Sequence, residues 1–153
     1  MRVLGIDYGA RRVGLAVSDA TGLLARPLKT LDRSSLADAA LVDAVLVAVA
    51  EVSTDDEPLA AIVVGLPRRL DGSPNDQTPR VEAFVARLAA RTPLPVVLQD
   101  ERLSSHEAES RLALTEKDWR RRKQMLDAAS AAVILQDYLD AKRPTLVADP
   151  DLP

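Results

Sequence analysis

A chain of 153 residues with 47% hydrophobic composition and a net charge of −3 is long enough for one domain that buries about two thirds of its unfolded surface, so neither a disulfide nor a structural zinc is needed to hold it. It contains no cysteine and a single histidine, which excludes thiol catalysis and thiolate metal sites and suits a reducing compartment. No uncharged apolar run reaches the roughly 20 residues of a membrane span, and the negative balance leaves any nucleic-acid binding to a local basic patch.

The N-terminus, Met1-Arg2-Val3-Leu4, reads as the start of a strand rather than as a leader, so a cytoplasmic location is expected. Residues 2–8 and 13–18 are short apolar runs separated by Gly9-Ala10-Arg11-Arg12, a hairpin signal. A third run, 23–31, is interrupted by Pro27. Proline cannot donate to a sheet ladder, which predicts an edge strand or a bulge there. From Ser34 to Val52 the spacing of Leu36, Ala39, Ala40, Asp43, Val47 and Ala50 is helical, with Ser34 or Ser35 as N-cap and one broad buried face.

Residues 60–66, Ala-Ala-Ile-Val-Val-Gly-Leu, are short and continuously apolar, as a central parallel strand should be. A long polar loop, Pro67 to Pro79, precedes a helix over 80–90 whose apolar stripe is Val81, Phe84, Val85 and Leu88. Thr92-Pro93-Leu94-Pro95 then breaks it before a strand at 96–100. Ser104-Ser105-His106-Glu107 fits a capping box that opens a helix to about Leu114. A basic segment, Lys117 to Lys123, leads into a last helix over 124–141 with Ala128, Ala131, Ala132, Leu135 and Leu139 on one face, stopped by Pro144. The expected fold class is α/β, with a mixed five-stranded sheet of three antiparallel strands followed by alternating helix and strand. Residues 1–143 are expected to form a single domain, and 144–153 a loose tail.

The chemistry lies in three acids. Asp7 ends the first strand, Asp100 and Glu101 end the last, and Asp127 lies near the start of the final helix, so folding can gather carboxylates at one end of the sheet. Carboxylate oxygens suit hard divalent cations, and the scarcity of His and Cys favours an all-oxygen Mg²⁺ or Mn²⁺ site over zinc. Two such ions about 3.5–4 Å apart are a recurrent solution to phosphodiester hydrolysis. Asp7 would bridge the ions, Asp127 would hold one and a carboxylate at the end of the last strand the other. Asp100 and Glu101 point to opposite faces of their strand, and spacing alone does not choose between them. Arg11 and Arg12 follow Asp7, Arg68 and Arg69 open the long loop, and Arg120, Arg121, Arg122 and Lys123 precede Asp127. Together they are candidates to hold backbone phosphates around the acids. Asp7 before a glycine is also an ordinary turn former, a basic run is also an ordinary solvated face, and Trp119 can stack on a base or pack on a helix.

Four motifs in fixed order carry a resemblance: Asp7-Tyr8-Gly9-Ala10-Arg11-Arg12-Val13-Gly14, Gly65-Leu66-Pro67 with Asp71-Gly72-Ser73, Asp100-Glu101-Arg102-Leu103-Ser104-Ser105, and Asp127-Ala128-Ala129-Ser130-Ala131. Over residues 1–140 the chain closely resembles the YqgF/RuvX family of ribonuclease H-like nucleases. The resemblance implies an RNase H-like fold, Glu101 rather than Asp100 as the metal ligand, and a nuclease linked to maturation of the 5′ end of pre-16S rRNA and, in other members, to Holliday junction resolution. Branched DNA would call for two active sites in a homodimer; RNA trimming would not. The chain departs from the family at Arg68-Arg69-Leu70, where members often carry an amide followed by Met, and the change adds positive charge. Two other readings compete. An actin-like ATPase also places Asp-x-Gly after its first strand, but needs a second related domain. A non-catalytic nucleic-acid-binding or ribosome-assembly module could keep the fold without cleaving.

Overall fold

The computed structural model describes residues 1–33, 37–101 and 119–142, the last segment with side chains from Met125 onward. Strands β1 (Arg2–Tyr8), β2 (Arg12–Ser18), β3 (Ala25–Asp32), β4 (Leu59–Leu66) and β5 (Val96–Asp100) form one sheet in the order β3-β2-β1-β4-β5. The β1/β2 and β2/β3 pairs are antiparallel, and β1/β4 and β4/β5 are parallel. The three inner strands are buried along nearly their whole length, as continuously apolar runs require when both faces are covered.

Pro27 satisfies both halves of its expectation. Strand β3 is an edge, and the register shifts from Leu15 opposite Lys29 to Ala16 opposite Pro27, leaving Leu28 as an extra residue beside the proline.

Each face of the sheet has its own cover. Leu4, Ile6 and Tyr8 of β1, with Ile62, Val64 and Leu66 of β4, pack beneath α1 (Asp38–Val52) and α2 (Thr78–Ala89). Val3, Ala16, Ala61 and Val63 face Ala131, Ile134, Leu135 and Leu139 of α3 (Trp119–Lys142). The alternation of strand side chains is thus read directly: odd positions of β1 look at α3, even ones at α1 and α2.

Three helical expectations need correction. Helix α1 begins at Asp38 with Ala37, not Ser34 or Ser35, in the cap position, and no side chain among the described residues caps it; the two serines lie outside the described residues. Its buried stripe is Leu41, Val42, Val45 and Ala48, whereas Ala39, Asp43, Val47 and Ala50 are exposed. The two stripes differ by two positions, about 200° around the helix. Helix α3 begins at Trp119, so the basic segment 119–123 belongs to the helix rather than preceding it. Helix α2 starts two residues earlier than expected, because Asn75 Oδ1 accepts from the main-chain N–H groups of Gln77 (2.9 Å) and Thr78 (3.1 Å), while Thr78 Oγ1 accepts from Asn75 N (2.9 Å). The helix expected over 104–114, His106 and the tail from 144 lie outside the described residues. Among those described, no helix is long and apolar enough to cross a membrane.

Candidate active site

Glycines let α3 lie close to the sheet. Gly14 pairs with Asp7 across β1 and β2, and a Cβ on Gly14 would sit 1.8 Å from the main-chain oxygen of Asp127. One turn further, a Cβ on Gly5 would meet Leu135 Cβ at 2.8 Å and Ala131 O at 3.1 Å. Asp127, Ala131 and Leu135 recur every four residues, so they form one stripe of α3 laid along the sheet. The same contact that seats the helix delivers Asp127 beside Asp7.

Strand parity selects the third acid. Val96 packs into the α1/α2 core, so Asp100 lies on that side and Glu101 on the α3 side. Glu101 N donates to Leu66 O (3.2 Å), and a Cβ on Gly65 would stand 2.7 Å from Glu101 Oε2. Gly65 therefore leaves the room that the Glu101 carboxylate occupies. Of the expected carboxylates, Asp7, Glu101 and Asp127 converge; Asp100 does not.

The proximity has electrostatic consequences. Burial, then the negative charge of Asp127, push the Asp7 carboxyl from 3.8 up to about 7, and a hydrogen bond with the Glu101 side chain pulls it part of the way back. Two carboxyl groups hydrogen-bond each other only by sharing a proton. Asp127 is also held above the usual carboxylate range by burial, opposed by Arg12. The helix N-terminus expected beside Asp127 does not help, because α3 starts eight residues earlier and the dipole effect fades within the first turn.

Arg12 Nε lies 2.9 Å from Asp127 Oδ2. The guanidinium acts on this carboxyl by charge and, second, by a side-chain hydrogen bond, yet among the described residues the buried Oδ2 has no partner of good hydrogen-bond geometry. Correspondingly, no three Asp, Glu or His side chains among the described residues close to the spacing of a formed cation cage: Asp7 and Glu101 touch, while Asp127 is turned toward Arg12. The donor set is nonetheless all oxygen, repels itself as anions, and includes a buried oxygen, Asp127 Oδ2, without a well-directed hydrogen bond among the described residues. It fits a divalent cation on each count.

The other basic residues are placed unevenly. Arg11, Arg68 and Arg69 are exposed on loops at the same sheet end, the last two fixed through their main chain, with Arg68 bridging Pro74 and Arg69 N donating to Ser73 O (2.9 Å). Arg120, Arg121, Arg122 and Lys123 lie in the first turns of α3, outside the described side chains. Sequence reasoning passed over Arg33, which stacks over the Tyr8 ring (4.4 Å) and reaches Asp38 (3.6 Å) at this end of the sheet. It also assigned no packing role to Gly5, Gly14 and Gly65, although their position inside strands was an available signal.

Known proteins resemble this chain along nearly its whole length. The chain matches the RuvX family, described as Holliday junction resolvase, over residues 1–141. A protein of Anaeromyxobacter dehalogenans (strain 2CP-1 / ATCC BAA-258) named "Putative pre-16S rRNA nuclease" is 44% identical over 144 residues, covering 94% of this chain and 100% of the relative. One from Halalkalibacterium halodurans with the same name is 39% identical over 145 residues, 94% of this chain and 99% of the relative. Among solved structures, Thermus thermophilus RuvC in complex with a Holliday junction substrate aligns with a TM-score of 0.55 over 92% of this chain and 95% of that chain, at 22% identity. At that identity the likeness is one of fold, and the fold is RNase H-like.

Proposed function

Since the chain belongs to the RuvX family, we propose that it is a divalent-metal-dependent nuclease that matures the 5′ end of the 16S rRNA precursor. The coarse part of this reading, a hydrolase of nucleic acid, follows from the family itself. The finer part is supported by the name shared by relatives that align along nearly their whole length. The observation that carries the chemistry is the Asp7 carboxyl, hydrogen-bonded to Glu101 and raised by burial and then by the charge of Asp127.

In this reading Asp7, Glu101 and Asp127 hold two Mg²⁺ or Mn²⁺ ions, which when bound supply Lewis-acid stabilisation of phosphoryl oxygens and an activated water. Asp7, hydrogen-bonded to Glu101 and within reach of the Asp127 charge, would be the central ligand. Arg11, Arg12, Arg68, Arg69 and the 120–123 segment of α3 position the phosphate backbone without reading sequence. RNA is placed ahead of branched DNA because the junction enters through the family description and a likeness of fold alone. Junction cutting would further call for two sites paired in a homodimer.

The test is cleavage of a panel with Mg²⁺, Mn²⁺ or EDTA: a precursor 16S 5′ leader, single-stranded RNA and DNA, and a four-way DNA junction. The leader should be cut at a defined site with metal, and Asp7→Asn should lower the rate by roughly 10³-fold, the equivalent of several kcal/mol of transition-state stabilisation. Cutting that survives Asp7→Asn would remove the carboxylate mechanism, preference for the junction would transfer the substrate to DNA, and metal-independent binding without cutting would leave a non-catalytic module.

A further inference from the structure

The Arg12–Asp127 contact has features of a latch rather than of a permanent strut. The main chain of Arg12 is fixed, since it pairs with Asp32 of β3 and its carbonyl accepts from Gly9 N (3.0 Å). Its side chain is 40% exposed, against 23% for Asp127. The guanidinium therefore has one edge on the buried acid and another open to solvent at the mouth of the carboxylate cluster. Nε is 2.9 Å from Oδ2; Arg12 acts on the Asp127 carboxyl by its charge first and by a side-chain hydrogen bond second, and that bond is not well directed among the described residues. Such a half-exposed ion pair is weakly held. A phosphodiester offers the same guanidinium a planar, bidentate and charge-assisted partner, which is the stronger bond.

We infer that Arg12 is a positioning residue that keeps Asp127 turned away from the cation until a backbone phosphate takes the guanidinium; the inference rests on the proposed metal-dependent reading of the same site. Its consequence is thermodynamic. A cation and a guanidinium compete for one carboxylate, and they also repel each other. When phosphate withdraws Arg12, both penalties fall, so nucleic acid tightens cation binding. By linkage the cation tightens nucleic-acid binding by the same factor. Without substrate the acids stay poorly loaded, and the two binding events become mutually dependent.

The experiment measures Mn²⁺ binding by the paramagnetic resonance signal of the free ion, with the full chain, in the absence and presence of a phosphorothioate oligonucleotide that resists hydrolysis. Four proteins are compared: the parent, Arg12→Gln, Arg12→Ala in case the glutamine amide itself holds Asp127, and Asp7→Asn. Circular dichroism establishes that each is folded. The inference expects the Arg12 variants to bind Mn²⁺ about tenfold more tightly than the parent without oligonucleotide, in the usual range of such couplings. It also expects the oligonucleotide to tighten Mn²⁺ binding in the parent but not in those variants. Equal or weaker Mn²⁺ binding in both Arg12 variants overturns the latch; if Asp7→Asn still loses the ion, the metal-dependent reading stands. A parent and Arg12 variants that all bind no better than Asp7→Asn overturn both.

Discussion

Asp7 is an acid that the fold keeps at a cost. Its carboxyl titrates near 3.8 in the unfolded chain and at about 7 in the folded one. Below about pH 4 both states are protonated and the group contributes nothing. Between the two values the folded state retains a proton that the unfolded chain has released, so stability falls as pH rises through this window and the full cost is present above about pH 7. Asp7→Asn removes the charge and preserves the shape. The variant should therefore match the parent at pH 4 and exceed it at pH 8, by on the order of a few kcal/mol in urea unfolding with EDTA present. An acid that must be anionic to work, yet is destabilising when anionic, is best explained by a cation that completes the site. Mn²⁺ should accordingly raise the parent's Tm more at pH 8 than at pH 5, and should do little for Asp7→Asn. Equal stability of parent and variant at pH 8 would show that Asp7 is not held at this cost.

At the scale of elements, the site depends on how closely α3 approaches β1 and β2. Gly14 is the tightest point, since a Cβ there would overlap the Asp127 main-chain oxygen at 1.8 Å, and a backbone atom cannot escape by changing rotamer. Gly14→Ala must lift the helix, and should cost about 3 kcal/mol or more, at or beyond the upper end of ordinary overpacking. A Cβ on Gly5 would meet Leu135 Cβ at 2.8 Å and Ala131 O at 3.1 Å, which are also fixed by the helix backbone, but the overlap is shallower, so Gly5→Ala should cost less. Urea titration of both variants measures the difference, and a Gly14→Ala cost below that of Gly5→Ala would mean that the helix seat is not what places Asp127.

The same elements show what the residue order reveals and what it hides. All five strands were legible because two-sided burial makes β1, β2 and β4 continuously apolar and because Pro27 marks an edge. The stripe of α3 was largely legible too, since Ala128, Ala131, Leu135 and Leu139 are buried as spaced and Ala132 is partly buried beside them. The face of α1 was not. Alanine, valine and leucine occur all round it, with Val47 56% exposed and Val45 fully buried, so the pattern carries little contrast and packing against α2 and the sheet decides. Nor did the basic run disclose the start of α3, because Arg, Lys and Gln are good helix formers and charge marks no boundary. Asp7 and Asp127 stood out by position. The choice of Glu101 over Asp100 came from the resemblance and not from spacing, and gained a physical reason only with strand parity anchored by Val96; the Arg12–Asp127 contact exists only in three dimensions.

For the whole molecule, a net charge of −3 conceals an asymmetric distribution. Asp55, Asp56 and Glu57 are exposed just before β4, whereas Arg68 and Arg69 are exposed just after it and Arg11 follows β1. Parallel pairing of β1 and β4 puts this acidic segment at one end of the sheet and these arginines at the carboxylate end. Such a gradient along the strand axis orients an approaching polyanion even when the total charge would repel it. The loop that carries Arg68 and Arg69 is braced as well, by Asp71 Oδ1 accepting from Ser73 N (2.9 Å) and Ser73 Oγ (2.6 Å). The two cations are therefore presented on ordered main chain, with less entropy to lose on binding. If both contact phosphates, each accounts for about 0.7–0.9 in the slope of log affinity against log salt. The double variant Arg68→Gln/Arg69→Gln should then make the slope for the precursor leader shallower by about 1.5 over roughly 50 to 200 mM salt. Its loss of affinity should be similar for unrelated RNA of the same length, because phosphate contacts position without specifying. An unchanged slope would place these arginines in solvent, and would move the electrostatic footprint to Arg11 and to residues 120–123 at the start of α3.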